Sequence, residues 1–315
     1  MKSKTPPARL PLVDLLRGVA LWAMAVFHTV WDLGHFGWID PDFPFKPGFV
    51  WFGHAIAASF LLLAGASLVL ARRSKGVLWR SPAFWRRWAT VAAAAGAVSA
   101  VSYALFPASP IFFGILHCIA LASLLAAPLV DAPLVVPLAL GALTLAAPHF
   151  LTSPVFDAGA FWWTGLSTLT PASNDWQPFF PWGGFVFLGV ALGKLPLPAR
   201  GERESHGFLV RALRFCGRHS LAFYLIHQPM LFGLFALLAI VAPPAPNAGP
   251  FVRACAVQCV NQGVDAGLCE KTCACVVAHA KQQGFWGELA RGGADSQVKA
   301  QTHDAAVACY ADSAR

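Results

Sequence analysis

The chain has 315 residues, of which 57% are hydrophobic and 12% charged, against about 25% charged in an ordinary soluble domain. With a mean hydropathy of +0.58, this composition excludes a soluble globular protein and points to an integral membrane protein of the all-α, polytopic helical-bundle class. The formal net charge of +8 is therefore read through its distribution over loops, and no nucleic-acid partner is expected.

Hydropathy predicts seven membrane spans, near residues 12–33, 50–71, 88–106, 111–130, 133–150, 179–197 and 219–242. The first apolar run is too long for the core of a cleavable leader, and no small-residue cleavage site follows it. It reads "VDLLRGVALWAMAVFHTVWDLG" and carries Asp14, Arg17, His28 and Asp32. At about 100° per residue all four fall within about 60° of one helix face. Val19, Trp22, Val26 and Val30 take the opposite side. A polar stripe in a span must face protein or a hydrated cavity, because a charge facing lipid is costly. Asp14 and Arg17 lie about one turn apart at one end, and His28 lies roughly 16 Å further along. A histidine followed by a carboxylate at i+4, as in His28 and Asp32, suits an oriented general base. A planar guanidinium at the helix mouth suits a phosphate anchor. Taken singly, the same residues also fit an i,i+3 ion pair, a packed histidine and an interfacial aspartate.

Span two adds His54 and Ser59, span four His117, and span seven His227 and Gln228 ahead of Pro229. These are secondary polar-cavity candidates, each of which alone also fits a satisfied packing residue. No H-x3-H or carboxylate pair accompanies the histidines, so no metal is expected. The fifth span is interrupted by Pro133, Pro137 and Pro148. The sixth opens on an aromatic-Pro-Trp corner and continues with Gly-rich packing positions. Between them, residues 161–182 are rich in Trp, suited to sugar stacking or to the membrane interface, the latter preferred.

Basic residues alternate between loops. Lys2, Lys4, Arg9 and Arg17 lie at the N-terminus. Arg72, Arg73, Lys75, Arg80, Arg86 and Arg87 follow span two. Lys194, Arg200, Arg203, Arg211, Arg214 and Arg218 precede span seven. The positive-inside rule then puts the N-terminus in the cytoplasm and, after seven spans, the tail outside. The expected division is a membrane domain over 1–242 and a Cys-rich helical tail over 243–315. The tail holds Cys255, Cys259, Cys269, Cys273, Cys275 and Cys309. The spacing C-x3-C-x9-C-x3-C puts each pair one helical turn apart, so two antiparallel helices can be joined by Cys255–Cys273 and Cys259–Cys269, leaving Cys275–Cys309. The rival reading, a zinc site, needs a cytoplasmic tail.

Five segments in order, "RLPLVDLLRGVALWAMAVFHTVWDLGHFGW", "AIAASFLLLAGASLVLARR", "FFGILHCIALASLL", "FPWGGFVFLGVALG" and "GRHSLAFYLIHQPML", resemble the heparan-alpha-glucosaminide N-acetyltransferase catalytic-domain family, in its bacterial branch. The first segment is also similar to the wider transmembrane acyltransferase group, including the acyltransferase-3 proteins, in which a D-x-x-R-G stretch precedes a late His. That resemblance points to Arg17 and His28. It implies an acyl-CoA-dependent enzyme of a bacterial cytoplasmic membrane, embedded in lipid. It implies acetyl-CoA as cytoplasmic donor and an extracytoplasmic sugar or glycan as acceptor. On this reading Arg17, Asp14, Arg72 and Arg73 hold the donor, His28 acts on the acceptor and Asp32 orients it. The Cys-rich tail has no obvious counterpart in the family. The main rival is a small transporter or channel with a protonatable His pathway, which an internal repeat would favour; none is seen.

Overall fold

A computed structural model describes residues 11–196, 207–244, 246–290 and 295–314. Every regular element among them is helical. The helices are α1 (Pro11–His35), α2 (Pro47–Lys75), α3 (Pro82–Leu105), α4 (Ile115–Ala126), α5 (Val135–Leu151), α6 (Phe179–Lys194), α7 (Phe208–Arg218), α8 (Ser220–Val241), α9 (Ala248–Asn261), α10 (Ala266–Gln282), α11 (Trp286–Ala290) and α12 (Ser296–Ser313). Proline opens α1, α2 and α3, where its missing N–H is no loss. Gly37 (φ 88°) and Gly76 (φ 76°) follow α1 and α2 in the left-handed conformation that ends a helix without a Cβ clash.

Four helices, α1, α2, α3 and α8, are long and apolar enough to cross a membrane. Shorter apolar helices α4, α5 and α6 stand where the other three spans were expected, with 12, 17 and 16 residues. Local features mark where they begin. The α4 helix starts only at Ile115, whose N–H donates to Asp175 Oδ2 at 3.0 Å. It stops at Ala126, and a 3₁₀ turn begins at Pro128. Pro137 lies in the first turn of α5, where the ring is tolerated. Phe180 in α6 is non-helical ahead of a cis bond to Pro181. The stretch before span seven, read as a basic loop, contains the amphipathic helix α7. Its arginines lower the local hydropathy and hide the helix in an apolar scan. Lys2, Lys4, Arg9, Arg200 and Arg203, and the side chain of Lys75, lie outside the described residues.

The chain forms two compact units: residues 1–25 with 51–228, and 26–50 with 229–315. In the first, Leu61, Leu68, Cys118, Ala122, Val186 and Val190 of α2, α4 and α6 share one core. Helices α2 and α6 approach backbone to backbone: a Cβ on Gly65 would lie 2.0 Å from Val186 O, and one on Gly189 2.2 Å from Leu62 O. Small residues make such membrane helix crossings possible.

In the second unit, α9 and α10 run antiparallel and are joined by Cys255–Cys273 and Cys259–Cys269, while Cys275–Cys309 ties α10 to α12. These are the pairs expected from the spacing. Phe285, Trp286 and Val298 pack with Val277 and Ala280 to form its small core. Trp286 Nε1 donates to Pro246 O at 2.9 Å. Arg253 sits 2.7 Å from Asp42 Oδ2 and 3.7 Å from Asp40 Oδ1. The disulfides matter in a small unit, whose apolar core alone gives little stability.

Candidate functional site

The two carboxylates of the α1 stripe are its buried members, while Arg17 and His28, like Val30 on the other side, are partly buried. Asp14 is 8% exposed and Asp32 wholly buried, while Val19, Trp22 and Val26 on the far side are about half exposed (48%, 58% and 53%).

Arg17 divides its fork. Nη1 stands 3.8 Å from Asp14 Oδ1, and Nη2 donates to Ser67 Oγ on α2. The Ser67 hydroxyl in turn donates to Leu63 O. Asp14 Oδ2 lies 3.5 Å from Arg218 Nε at the end of α7. One carboxylate therefore stands between two guanidinium groups. The α7 helix can come this near because both contact residues are glycines. A Cβ on Gly217 would fall 1.8 Å from Asp14 O, and one on Gly18 2.0 Å from Leu213 O. Ser67 also lines a cavity of ≈ 90 Å³ between α2, α3 and α4. Sequence spacing did not find Ser67, and it assigned Arg218 only to topology. The available signal was Ser67 itself, a second hydroxyl two turns along from Ser59 in a largely apolar segment.

His28 and Asp32 lie further along α1, which is unbroken from Pro11 to His35 and so keeps them one turn apart on one face. His28 meets the Phe27 ring edge-on at 5.5 Å. The Asp32 carbonyl accepts from Phe36 N at 2.9 Å, where the helix gives way to a turn.

The other histidines are largely engaged in packing or with backbone. His54 meets Trp51 and Trp182 edge-on. His117 Nδ1 accepts from Gly114 N at 3.2 Å, so its neutral ring carries the proton on Nε2. That proton points to Ser99 Oγ at 3.2 Å, whose hydroxyl in turn donates to Ile111 O at 2.6 Å. His227 Nδ1 donates to Tyr224 O at 2.7 Å, because a carbonyl can only accept. Ser59 Oγ donates to Ala55 O within its own helix. Gln228 ends the α8 segment that belongs to the first unit.

Arg72 and Arg73 are tied to the chain as well. Arg72 Nε pairs with Asp131 Oδ1 at 2.8 Å, and Arg73 Nη2 donates to Gly193 O at 3.0 Å. With Lys194, which donates to Val130 O and Ala132 O, they fasten the ends of α2 and α6 to the turn at 128–132.

The Trp-rich segment braces itself. Trp162 Nε1 donates to Asp157 O, and Trp176 Nε1 to Trp162 O. The Asp157 carboxylate accepts from the Thr168 hydroxyl and amide and from the Ser167 hydroxyl. The Thr168 and Ser167 hydroxyls, in that order, hold it below the ordinary carboxylate range. No group of three metal-ligating side chains occurs among the described residues.

The family model described as heparan-alpha-glucosaminide N-acetyltransferase, catalytic, matches residues 9–229. No curated protein and no solved structure matches the chain.

Proposed function

The chain belongs to the heparan-alpha-glucosaminide N-acetyltransferase catalytic family, and we propose on that ground that it is an acyl-CoA-dependent acyltransferase that moves an acetyl group from a cytoplasmic donor to an extracytoplasmic sugar or glycan. The family match over residues 9–229 is the observation that carries this reading. The buried carboxylates Asp14 and Asp32 on α1 support it, since ionisable groups held inside a span are functional by default. Arg17 offers a planar fork for phosphate, kept in place by Asp14 and Ser67. Arg72 and Arg73 add positive charge at the same end of α2.

His28 takes the proton from an acceptor hydroxyl or amine. The acceptor's lone pair then forms a bond to the thioester carbonyl carbon, the C–S bond breaks, and the leaving thiolate receives the proton to give free coenzyme A. In the variant of this route His28 first carries the acyl group and passes it on. Asp32, one turn along, orients the ring.

The same proposal holds that α4, α5 and α6 complete seven crossings, that the N-terminus is cytoplasmic and that 1–242 forms the membrane domain. It puts the tail of 243–315 outside. Three disulfides support that side for the tail, because such bonds persist in oxidising compartments.

The test is release of free coenzyme A thiol from acetyl-CoA by the detergent-purified protein, with a panel of amino sugars and hydroxyl sugars as acceptors. Acceptor-dependent thiol release is expected. A protein that neither binds coenzyme A nor releases thiol with any acceptor is not this enzyme.

A further inference from the structure

The cavity beside Ser67 has an uneven lining. Its floor is apolar, with Leu68, Phe84 and Ile119 among its residues, but Ser81, Arg87 and Ser123 open onto it. Among the described residues lining it there is no carboxylate.

Ser81 is 8% exposed and stands at the N-cap of α3, yet its hydroxyl caps nothing. Neither it nor Ser123 has a side-chain hydrogen bond among the described residues. Both hydroxyls are therefore open to a hydrogen-bonding group held in the cavity. Pro82 has no N–H, so Ala83 offers the first amide of a 24-residue helix, and Ala83 also lines the cavity. The positive end of the helix dipole therefore faces the same space.

Arg87, one turn further, makes no ion pair or hydrogen bond among the described residues, in contrast to Arg72 and Arg73. The Arg17 guanidinium reaches the cavity wall through Ser67, and the charges of Arg17 and Arg87 act on one another. Arg17 is already paired with Asp14, so Arg87 is the cation that lines the cavity beside the helix N-terminus, and the two together favour an anion there.

We propose that Ser81, Ala83 N–H and Arg87, with Arg17 behind Ser67, form a binding site for one phosphate group, which, on the acyltransferase reading above, is a phosphate of the donor. The size fits one charged end and not a whole cofactor: ≈ 90 Å³ is well below the roughly 300–1,000 Å³ of a pocket for a drug-sized ligand. The rest of the donor then lies outside it. Trp88 forms part of the wall, its indole N–H given to Ala120 O at 3.0 Å.

The test measures affinity of the detergent-purified full chain for coenzyme A and for pantetheine, which lacks the phosphates. The parent is compared with Arg87→Gln, Ser81→Ala and Arg86→Gln, the last changing a neighbouring arginine that does not line the cavity. A charge-assisted hydrogen bond corresponds to about tenfold to a hundredfold in affinity. Arg87→Gln is expected to weaken coenzyme A by that factor, Ser81→Ala by less, and Arg86→Gln not at all, with pantetheine unchanged throughout. Coenzyme A binding the parent and both cavity variants equally would overturn the phosphate site and leave the acyltransferase reading standing. If the parent does not bind coenzyme A, that reading fails, and inorganic phosphate and phosphatidic-acid vesicles become the probes. Thermal stabilisation by either that is lost in Arg87→Gln keeps the phosphate site and identifies its source. Stabilisation by neither, or one that does not depend on Arg87, overturns it.

Discussion

At the scale of single residues, the proposed mechanism gives His28 a chemical role and leaves His117 a packing one. His117 is held by Gly114 N on one nitrogen and faces Ser99 on the other, an arrangement that uses up both. His28→Gln keeps a polar side chain but removes the base, so turnover should fall by about 10²–10⁴ with expression unchanged. His117→Gln should lower the melting temperature and leave turnover per folded molecule near the parent value. Equal turnover losses in the two variants would contradict the assignment. Arg17→Lys keeps the charge but cannot reach Asp14 and Ser67 together through a planar fork. Coenzyme A affinity should drop about tenfold, roughly one lost charge-assisted bond, with orientation in the membrane preserved; unchanged affinity would return Arg17 to a topological role. The stripe itself was legible in the sequence because helical period fixes which residues share a face. Ser67 was not, because nothing in the sequence says which residue of α2 lies opposite Arg17.

At the scale of elements, α4 shows how a loop residue sets where a helix begins. Asp175 accepts from Ile115 N at 3.0 Å, and its charge acts on Tyr224 and Cys118. Burial pushes its carboxyl up to about 6, against the hydrogen bond from Ile115, which lowers it. The folded state thus binds this proton more tightly than the unfolded chain does. Its contribution to stability is fully present below the ordinary aspartate pKa of about 4 and is lost as pH rises through about 6. Asp175→Asn keeps an oxygen for Ile115 N–H and cannot ionise. Melting temperature measured from about pH 4 to pH 7 should fall with pH more steeply in the parent than in Asp175→Asn, and parallel curves would refute this. Among the described residues, hydropathy found the positions of the four helices long and apolar enough to cross a membrane and of three shorter apolar ones, but not the late start of α4 or the helix α7. The first depends on a contact with a residue 60 positions away. The second is amphipathic and holds its place through Gly18 and Gly217, whose meeting is invisible along the chain.

At the scale of the whole molecule, the proposal asks for an oxidising compartment around the tail and a cytoplasmic one around the donor. The disulfide pairing was legible because two C-x3-C turns allow one antiparallel register, whereas the joining of residues 26–50 with the tail in one compact unit had no local signature. An impermeant thiol reagent applied to intact cells should label the six tail cysteines only after reduction, and labelling without reductant would contradict an oxidised tail. The central claim is transfer from one face to the other. The most direct measurement uses sealed proteoliposomes, oriented with the Arg17 end outward, that enclose the sugar acceptor and receive acetyl-labelled acetyl-CoA outside. The account predicts label on the enclosed acceptor with free coenzyme A left outside, both lost in His28→Gln. Label confined to acceptor supplied on the acetyl-CoA side, or transfer that persists in His28→Gln, would contradict it.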